Sequence, residues 1–190
     1  MIILGIDPGS IITGVGLIEF RGNDFNLIDF DAFELNTKKP VVERLKVLYD
    51  LCIVKIKKFK PEHLSIETAF YSKNIQSTLK LGQARGVAII AALNSGLEIF
   101  EYSPREIKRS ITGNGAASKQ DVKFYIRRML RFDEEPKYID SYDALAAAVC
   151  HCNTISGNIL LYKGGFKRNS KKMWLDYANR NPKKILNNKN

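Results

Sequence analysis

Four carboxylates stand where the chain changes from an apolar run to a turn, or where a helix is expected to start. Asp7 follows the first apolar run and precedes a Pro-Gly-Ser turn, and Glu67 ends a second short run that reads as a strand. Asp140 and Asp143 are three residues apart at the start of a predicted helix, so their side chains share one face. An acid at the end of a buried strand is costly to keep unless something binds it.

These acids could perform phosphodiester chemistry if they converge. The carboxyl ends of strands form the edge at which α/β sheets place their sites, and a helix start beside that edge would complete a group of four. Four such charges in water-poor space repel one another and need cations to stay ionised. Two divalent ions about 3.5–4 Å apart would neutralise them and clamp the attacking and leaving oxygens of a phosphodiester. Mg²⁺ suits such oxygen ligands and keeps open water positions.

Each acid also has a purely structural interpretation. Asp140 could be the N-cap of its helix, with Asp143 as its capping-box partner. Asp7 could form an Asx-turn, and Glu67 could pair with one of the many lysines. These alternatives stay open residue by residue, but they do not explain why two strand ends and one helix start all carry acids.

Basic and aromatic residues near the acids could contact nucleic acid. Lys119 falls in the first turn of a predicted helix, where the macrodipole disfavours a cation, yet a helix amino terminus with a lysine is a good phosphate site. Lys108 and Arg109 could extend that site, and the alternative for Lys119 is an exposed lysine that tolerates a small penalty. Phe70, in the polar loop after Glu67, could stack on unpaired bases or wedge into a distorted duplex, or it could anchor the loop to the core.

Composition bounds the class of protein. The chain has 190 residues and 45% hydrophobic content, which suits one α/β domain with its own core. A net charge of +10 favours a polyanionic partner, although a basic protein without such a partner would have the same composition. The cluster Cys150-His151-Cys152 resembles a set of metal ligands, but adjacent helix positions face different ways, so we expect reduced core cysteines. No secretory signal or membrane span is recognisable, so we expect a soluble cytoplasmic protein.

The elements that must position these residues follow from the apolar periodicity. Three strands, a helix, a strand, a helix, a strand and three helices are predicted, which is a mixed five-stranded sheet flanked by helices. A helix over 41–59, a strand over 63–67, a capping box at Ser103 and a flexible loop over 111–117 are among the predicted features. Residues 1–153 form the predicted domain and residues 154–190 a basic tail, either a mobile or partly helical arm or a solvated segment without a role.

Ordered short motifs over residues 2–152 resemble the RuvC-type crossover (Holliday) junction endodeoxyribonucleases of bacteria. The first is Gly-Ile-Asp-Pro-Gly-Ser around Asp7, and the longest is Leu-Lys-Leu-Gly-Gln-Ala-Arg-Gly-Val-Ala at 79–88. The others are Thr13-Gly14, Ile66-Glu67, Phe70, Lys73-Asn74, Phe100-Glu101-Tyr102, Gly113 with Gly115 and Lys119, and Asp140 with Asp143-Ala144-Leu145-Ala146.

The resemblance implies a ribonuclease H-like α/β fold, a homodimer, and Mg²⁺-dependent symmetric nicking of four-way junction DNA in recombination and repair. It implies 5′-phosphate and 3′-hydroxyl ends, two Mg²⁺ per active site that Mn²⁺ can replace, and cooperation with the RuvA–RuvB branch-migration complex. The implied catalytic and metal-binding residues are Asp7, Glu67, Asp140 and Asp143. The implied DNA-binding residues are Phe70, Lys73, Lys108, Arg109 and Lys119.

Three other functions compete with this one. An RNA-processing nuclease of the YqgF-like group would share the Asp-x-Gly opening, but the Phe70 loop and the helix around 81–88 favour DNA. An ATP-binding module of the actin or sugar-kinase type has a similar opening, but it needs two large lobes that 190 residues cannot supply. A non-catalytic basic DNA binder would tolerate replacement of all four carboxylates.

Overall fold

The computed structural model describes residues 1–22, 24–68 and 74–157. The order of its elements is the predicted one, and the helix predicted over 41–59 and the strand predicted over 63–67 are confirmed to the residue. In chain order the elements are β1 (Ile2–Asp7), β2 (Ile12–Arg21), β3 (Asp24–Glu34), α1 (Val41–Phe59), β4 (His63–Glu67), α2 (Ile75–Asn94), β5 (Glu98–Tyr102), α3 (Pro104–Thr112), α4 (Lys119–Leu130) and α5 (Asp140–Ile155).

The five strands form one mixed sheet in the order β3-β2-β1-β4-β5. The first three strands pair as an antiparallel meander, whereas β4 runs parallel to β1 and β5 runs parallel to β4. Both β1 and β4 are buried along their middle residues, which explains their continuous apolar sequences. Ile6 pairs with Ile66 in the parallel register, so the residues that follow, Asp7 and Glu67, leave the sheet side by side.

Helices cover both faces of the sheet. On one face α1 and α2 pack over Leu4 and Ile6, and on the other face α3, α4 and α5 pack over Ile3 and Ile18. The amphipathic character predicted for α1 is confirmed, since its buried residues recur at helical spacing on its inner side. Burial of each such aliphatic side chain contributes about 1.5–3 kcal/mol of hydrophobic stabilisation.

The helix α5 is the central element of the second layer, and twelve of its sixteen residues are buried. Its backbone lies directly on the strands, because a methyl group on Gly5 would stand only 2.0 Å from the carbonyl oxygen of Ala144. Cys150 and Cys152 are buried free thiols in the core, as predicted. The close packing of α5 fixes where its first turn, with its two acids, meets the sheet.

Two local features differ from the expectation or lie beyond what the structure describes. The loop predicted over 111–117 begins later, because α3 continues to Thr112, buries Ile111 and ends at Gly113 with a φ of 78°. α5 continues to Ile155, and residues 158–190, most of the predicted basic tail, lie outside the described residues. Within the described ranges, no helix combines the length and the apolar character that crossing a bilayer requires.

Candidate active site

Three of the four predicted acids line one cavity at the carboxyl edge of the parallel strands. Asp7 ends β1, Glu67 ends the neighbouring β4, and Asp143 comes from the first turn of α5. The cavity has a volume of about 170 Å³. Asp140 is not among its lining residues, but its charge still acts on Asp7 and raises the pKa of that carboxyl. The structure therefore brings together acids that are up to 136 residues apart in the chain, with Asp140 at the edge of the group.

A glycine allows the start of α5 to reach Asp7. Gly14 pairs with Asp7 across β1 and β2, and a methyl group on Gly14 would lie 2.0 Å from the carbonyl oxygen of Asp140. Any side chain at this position would push the helix start away from the strand end. Sequence analysis finds Gly14 only within a family motif, and its contact with α5 is a result of tertiary packing.

The structural interpretations of two acids can now be judged. The N-cap of α5 is Ile139, which forms no side-chain cap hydrogen bond, so the interpretation of Asp140 as an N-cap with Asp143 as its capping-box partner is wrong. Among the described residues no lysine forms an ion pair with Glu67. Within the described part of the chain, neither structural interpretation therefore accounts for these acids.

Burial and mutual repulsion raise the pKa of two carboxyl groups. Desolvation, followed by the charges of Asp143, Glu67 and Asp140, raises the pKa of Asp7 to about 7. Desolvation and the charge of Asp143 raise the pKa of Glu67 to about 7 as well. Without a bound cation, these two groups are therefore only partly ionised at neutral pH. A site that holds protons for this reason is one that a divalent cation would stabilise by replacing them.

Lysines supply the positive charge now in the cavity. Lys119, at the first position of α4, donates a hydrogen bond of 2.7 Å from Nζ to Oδ2 of Asp143. This bond is the main reason that the pKa of Lys119 is raised. Lys108 also lines the cavity, and its charge lowers the pKa of Glu67. Arg109 is exposed and does not line the cavity, and its charge acts on Glu106 instead.

Apolar residues form part of the cavity wall, and sequence analysis missed them. Ile107 from α3, Val122 from α4 and Ala146 from α5 contribute, and all three are buried. The helical spacing of Ile107 with Ile111, and of Val122 with Ile126, could have placed them on inner faces but not beside the acids. Two predicted DNA-binding residues, Phe70 and Lys73, lie outside the described residues.

The acids suit a hard divalent cation by their chemistry. In the described part of the chain, no three His, Cys, Asp or Glu side chains are already grouped closely enough to hold a metal ion. The donor set still fits Mg²⁺, because carboxylate oxygens are its preferred protein ligands and because the acids carry more negative charge than Lys119 and Lys108 neutralise. Metal binding would require the carboxylates to draw closer together, and the Oδ2 of Asp143 that now accepts from Lys119 could then bind the cation instead.

Comparisons with known proteins point to one family. Residues 3–151 match the family model described as crossover junction endodeoxyribonuclease RuvC. The crossover junction endodeoxyribonuclease RuvC of Chloroherpeton thalassium is 43% identical over 189 residues, which cover 98% of this chain and 100% of that protein. The RuvC of Ruminiclostridium cellulolyticum is 44% identical over 154 residues, 81% of this chain and 93% of that protein. Among solved structures, T. thermophilus RuvC in complex with Holliday junction substrate aligns with a TM-score of 0.78 and 28% identity over 83% of this chain and 97% of that chain.

Proposed function

Because this chain belongs to the RuvC family of crossover junction endodeoxyribonucleases, we propose that its four clustered acids are the catalytic carboxylates: Asp7, Glu67, Asp140 and Asp143. The enzyme is an endonuclease with a ribonuclease H-like fold that resolves four-way (Holliday) DNA junctions. One observation carries the residue assignment, namely that acids from two strand ends and one helix start share a cavity with two lysines. The competing RNA-processing function has no comparable support.

The nucleases of this family are metal-dependent, and we propose two Mg²⁺ per active site. Two divalent ions would balance four ionised carboxylates, and they would displace the protons that Asp7 and Glu67 otherwise retain. Bound there, the cations would supply stabilisation of the phosphoryl charge and a lowered pKa for the attacking water. Mn²⁺ should replace Mg²⁺, because it accepts the same oxygen ligands in octahedral geometry.

The residues of the chain itself would position the scissile phosphate. Lys119 and Lys108 attract the phosphodiester into the cavity, and Lys119 can then exchange its hydrogen bond with Asp143 for one with a phosphate oxygen. That exchange would free Asp143 to bind a cation as the substrate arrives. The apolar wall limits water in the cavity, which strengthens each of these charge interactions. Phe70 and Lys73 remain proposed DNA contacts on the strength of the family resemblance.

We extend the proposal to a homodimer that pairs two such sites for symmetric nicks. The outer face of α2 exposes Leu79, Ile90 and Leu93, which are 58%, 51% and 52% exposed. Between them Gly82 and Gly86 leave open space where a side chain would stand, so a second helix backbone could approach closely.

The proposal also includes cooperation with the RuvA–RuvB complex and a location in the bacterial cytoplasm, where junction DNA is formed.

Cleavage of a synthetic four-way junction with and without Mg²⁺ tests the assignment. Asp7→Asn should abolish cutting while junction binding persists, and Asp50→Asn, an exposed acid paired with Lys46 on α1, serves as the control. Ligation of the products would demonstrate 5′-phosphate and 3′-hydroxyl ends. Full activity of Asp7→Asn, or equal cutting of structured RNA at matched salt, would refute the proposal.

A further inference from the structure

A row of basic residues runs along α4 away from the active site. It begins at Lys119, which lines the catalytic cavity, and continues at intervals of four residues with Lys123 and Arg127 to Arg131, the C-cap of the helix. Residues at this interval lie along one side of a helix, with a rise of about 6 Å from each to the next. The row therefore extends positive charge from the catalytic site over a length of about 18 Å.

A groove accompanies this row of cations. It has a volume of about 600 Å³ and is lined by Lys123, Phe124, Arg127 and Arg131, among others. Phe124 stands 58% exposed in the middle of the helix. Cations interleaved with an exposed aromatic ring are the composition with which proteins bind a nucleic acid backbone and its bases.

Two acids form ion pairs with the cations of the groove. Nζ of Lys123 lies 2.8 Å from Oε2 of Glu135, and the guanidinium of Arg127 contacts Glu135 and the carboxylate of Asp133 at 3.4 Å. Both acids are well exposed, whereas the side chains of Lys123 and Arg127 are 27% and 28% exposed. Arg127 also donates a hydrogen bond to the backbone oxygen of Asp133, which helps to hold its guanidinium in the groove. Because the carboxylates face solvent, salt screens their attraction to these cations. The carboxylates hold the positions that phosphate oxygens could take, so a polyanion could displace them at little cost.

We propose that this groove binds the sugar-phosphate backbone of one junction arm, and that Asp133 and Glu135 form ion pairs with its cations until DNA displaces them. The inference rests on the proposed function, because Lys119 places the start of the row beside the scissile phosphate. A length of about 18 Å corresponds to about five base-pair steps of duplex. α4 and α2 lie on opposite faces of the sheet, so a dimer formed through α2 leaves the groove accessible.

The salt dependence of junction binding, measured without metal ions, tests the proposal. Lys123→Gln/Arg127→Gln should lower the slope of log Kd against log salt by about two and weaken binding about tenfold or more at 0.1 M salt. Lys57→Gln/Lys58→Gln, at the end of α1 on the other face, makes the same change in charge and should leave the slope unchanged. Equal slopes for the two variants would overturn the proposal. If wild-type protein neither binds nor cuts junctions, the proposed function itself fails.

Two further measurements locate the contact. Single methylphosphonate linkages, which remove one phosphate charge each, should weaken wild-type binding at about two to four nucleotides from the cleavage position, because Lys123 and Arg127 lie about 6 and 12 Å along α4 from Lys119. The Lys123→Gln/Arg127→Gln variant should be insensitive there, and unchanged sensitivity would contradict the inference. Asp133→Asn/Glu135→Gln should tighten junction binding more than Glu43→Gln/Asp50→Asn, which neutralises two exposed ion-paired acids near α1. Equal effects of these two variants would show that Asp133 and Glu135 do not compete with DNA for the cations of the groove.

Discussion

The ammonium nitrogen of Lys119 lies 2.7 Å from Oδ2 of Asp143, so the first turn of α4 supplies a cation to the first turn of α5. This contact joins a proposed phosphate-binding residue to a proposed metal ligand. The lysine neutralises one acid of the cavity, while Asp7 and Glu67 still retain raised pKa values near 7. One lysine therefore cannot replace the divalent cations that we propose, and its exchange of partners becomes testable.

Lys119→Gln should lower kcat for junction cleavage about 10²–10³-fold, because it removes a charge that we expect to stabilise the phosphoryl group. Mn²⁺ affinity, measured by calorimetry in the absence of DNA, should stay the same or increase, since Asp143 loses its competing partner. A variant that loses metal affinity along with activity would show that Lys119 supports the metal site instead. Lys57→Gln, at the far end of α1, provides the control.

The stability of the metal-free protein should depend on the ionisation of Asp7. Its folded pKa is raised from 3.8 to about 7, so its favourable contribution is fully present below pH 3.8 and is lost as pH rises towards 7. Asp7→Asn cannot ionise and should gain stability relative to wild type between pH 4 and 8, by on the order of 2–4 kcal/mol. Urea unfolding in EDTA measures this difference, and a difference that is constant with pH would contradict the pKa assignment.

Mg²⁺ should bind more tightly as pH rises from 5 to 8, because Asp7 and Glu67 must lose their protons to act as ligands. Calorimetry in buffers of different ionisation enthalpy should detect protons released on binding. Asp7→Asn should release fewer protons than wild type. Metal binding without proton release would show that these carboxyl groups are not the ligands.

The buried His151 and its half-buried neighbour His63 should produce the opposite dependence on pH. Nδ1 of His63 lies 2.8 Å from Nε2 of His151, and desolvation together with the charge of His63 lowers the pKa of His151 to about 4. The neutral ring stabilises the fold above pH 6.5, and this contribution is lost as pH falls from 6.5 to 4. His151→Gln in the Asp7→Asn background should flatten the loss of stability between pH 7 and 4.5. An unchanged profile would exclude His151 as its source.

Gly14→Ala should destabilise the protein by about 1–3 kcal/mol and reduce cleavage, because the new methyl group collides with the carbonyl of Asp140. Gly82→Ala meets open space and improves helix propensity by about 1 kcal/mol, so it should not destabilise the fold. Chemical unfolding is measured on both variants, and junction cleavage on Gly14→Ala alone, because Gly82 lies in the proposed dimer face. Normal activity of Gly14→Ala would mean that α5 can shift without harm to the site.

Leu79→Asp with Ile90→Asp should convert the proposed dimer into monomers, because two charges would replace exposed apolar contacts on α2. Sedimentation would report the mass, and a junction carried on supercoiled plasmid would distinguish paired from single nicks. Single nicking by a folded monomer is the expected result. A wild-type protein that already sediments as a monomer would exclude an α2 dimer.

Local interactions made much of this molecule predictable. The helix over 41–59 and the capping box at Ser103 depend on residues within about one turn of each other, so their sequence patterns suffice. The acids at the ends of β1 and β4 were predictable for a related reason. A short apolar run followed by an acid and a turn defines a strand end whatever the neighbouring strands are.

The convergence of those acids depends on contacts between distant residues, and only the tertiary structure determined it. The pairing of Ile6 with Ile66 brings Asp7 beside Glu67, and the missing side chain of Gly14 lets α5 deliver Asp143. Asp140 is not an N-cap, because the backbone begins the helix one residue earlier than its side chain suggests. The residue types alone indicated the chemistry of the site. Its geometry was decided by the strand register and by the close packing of α5, because both depend on contacts between segments that are distant in the sequence.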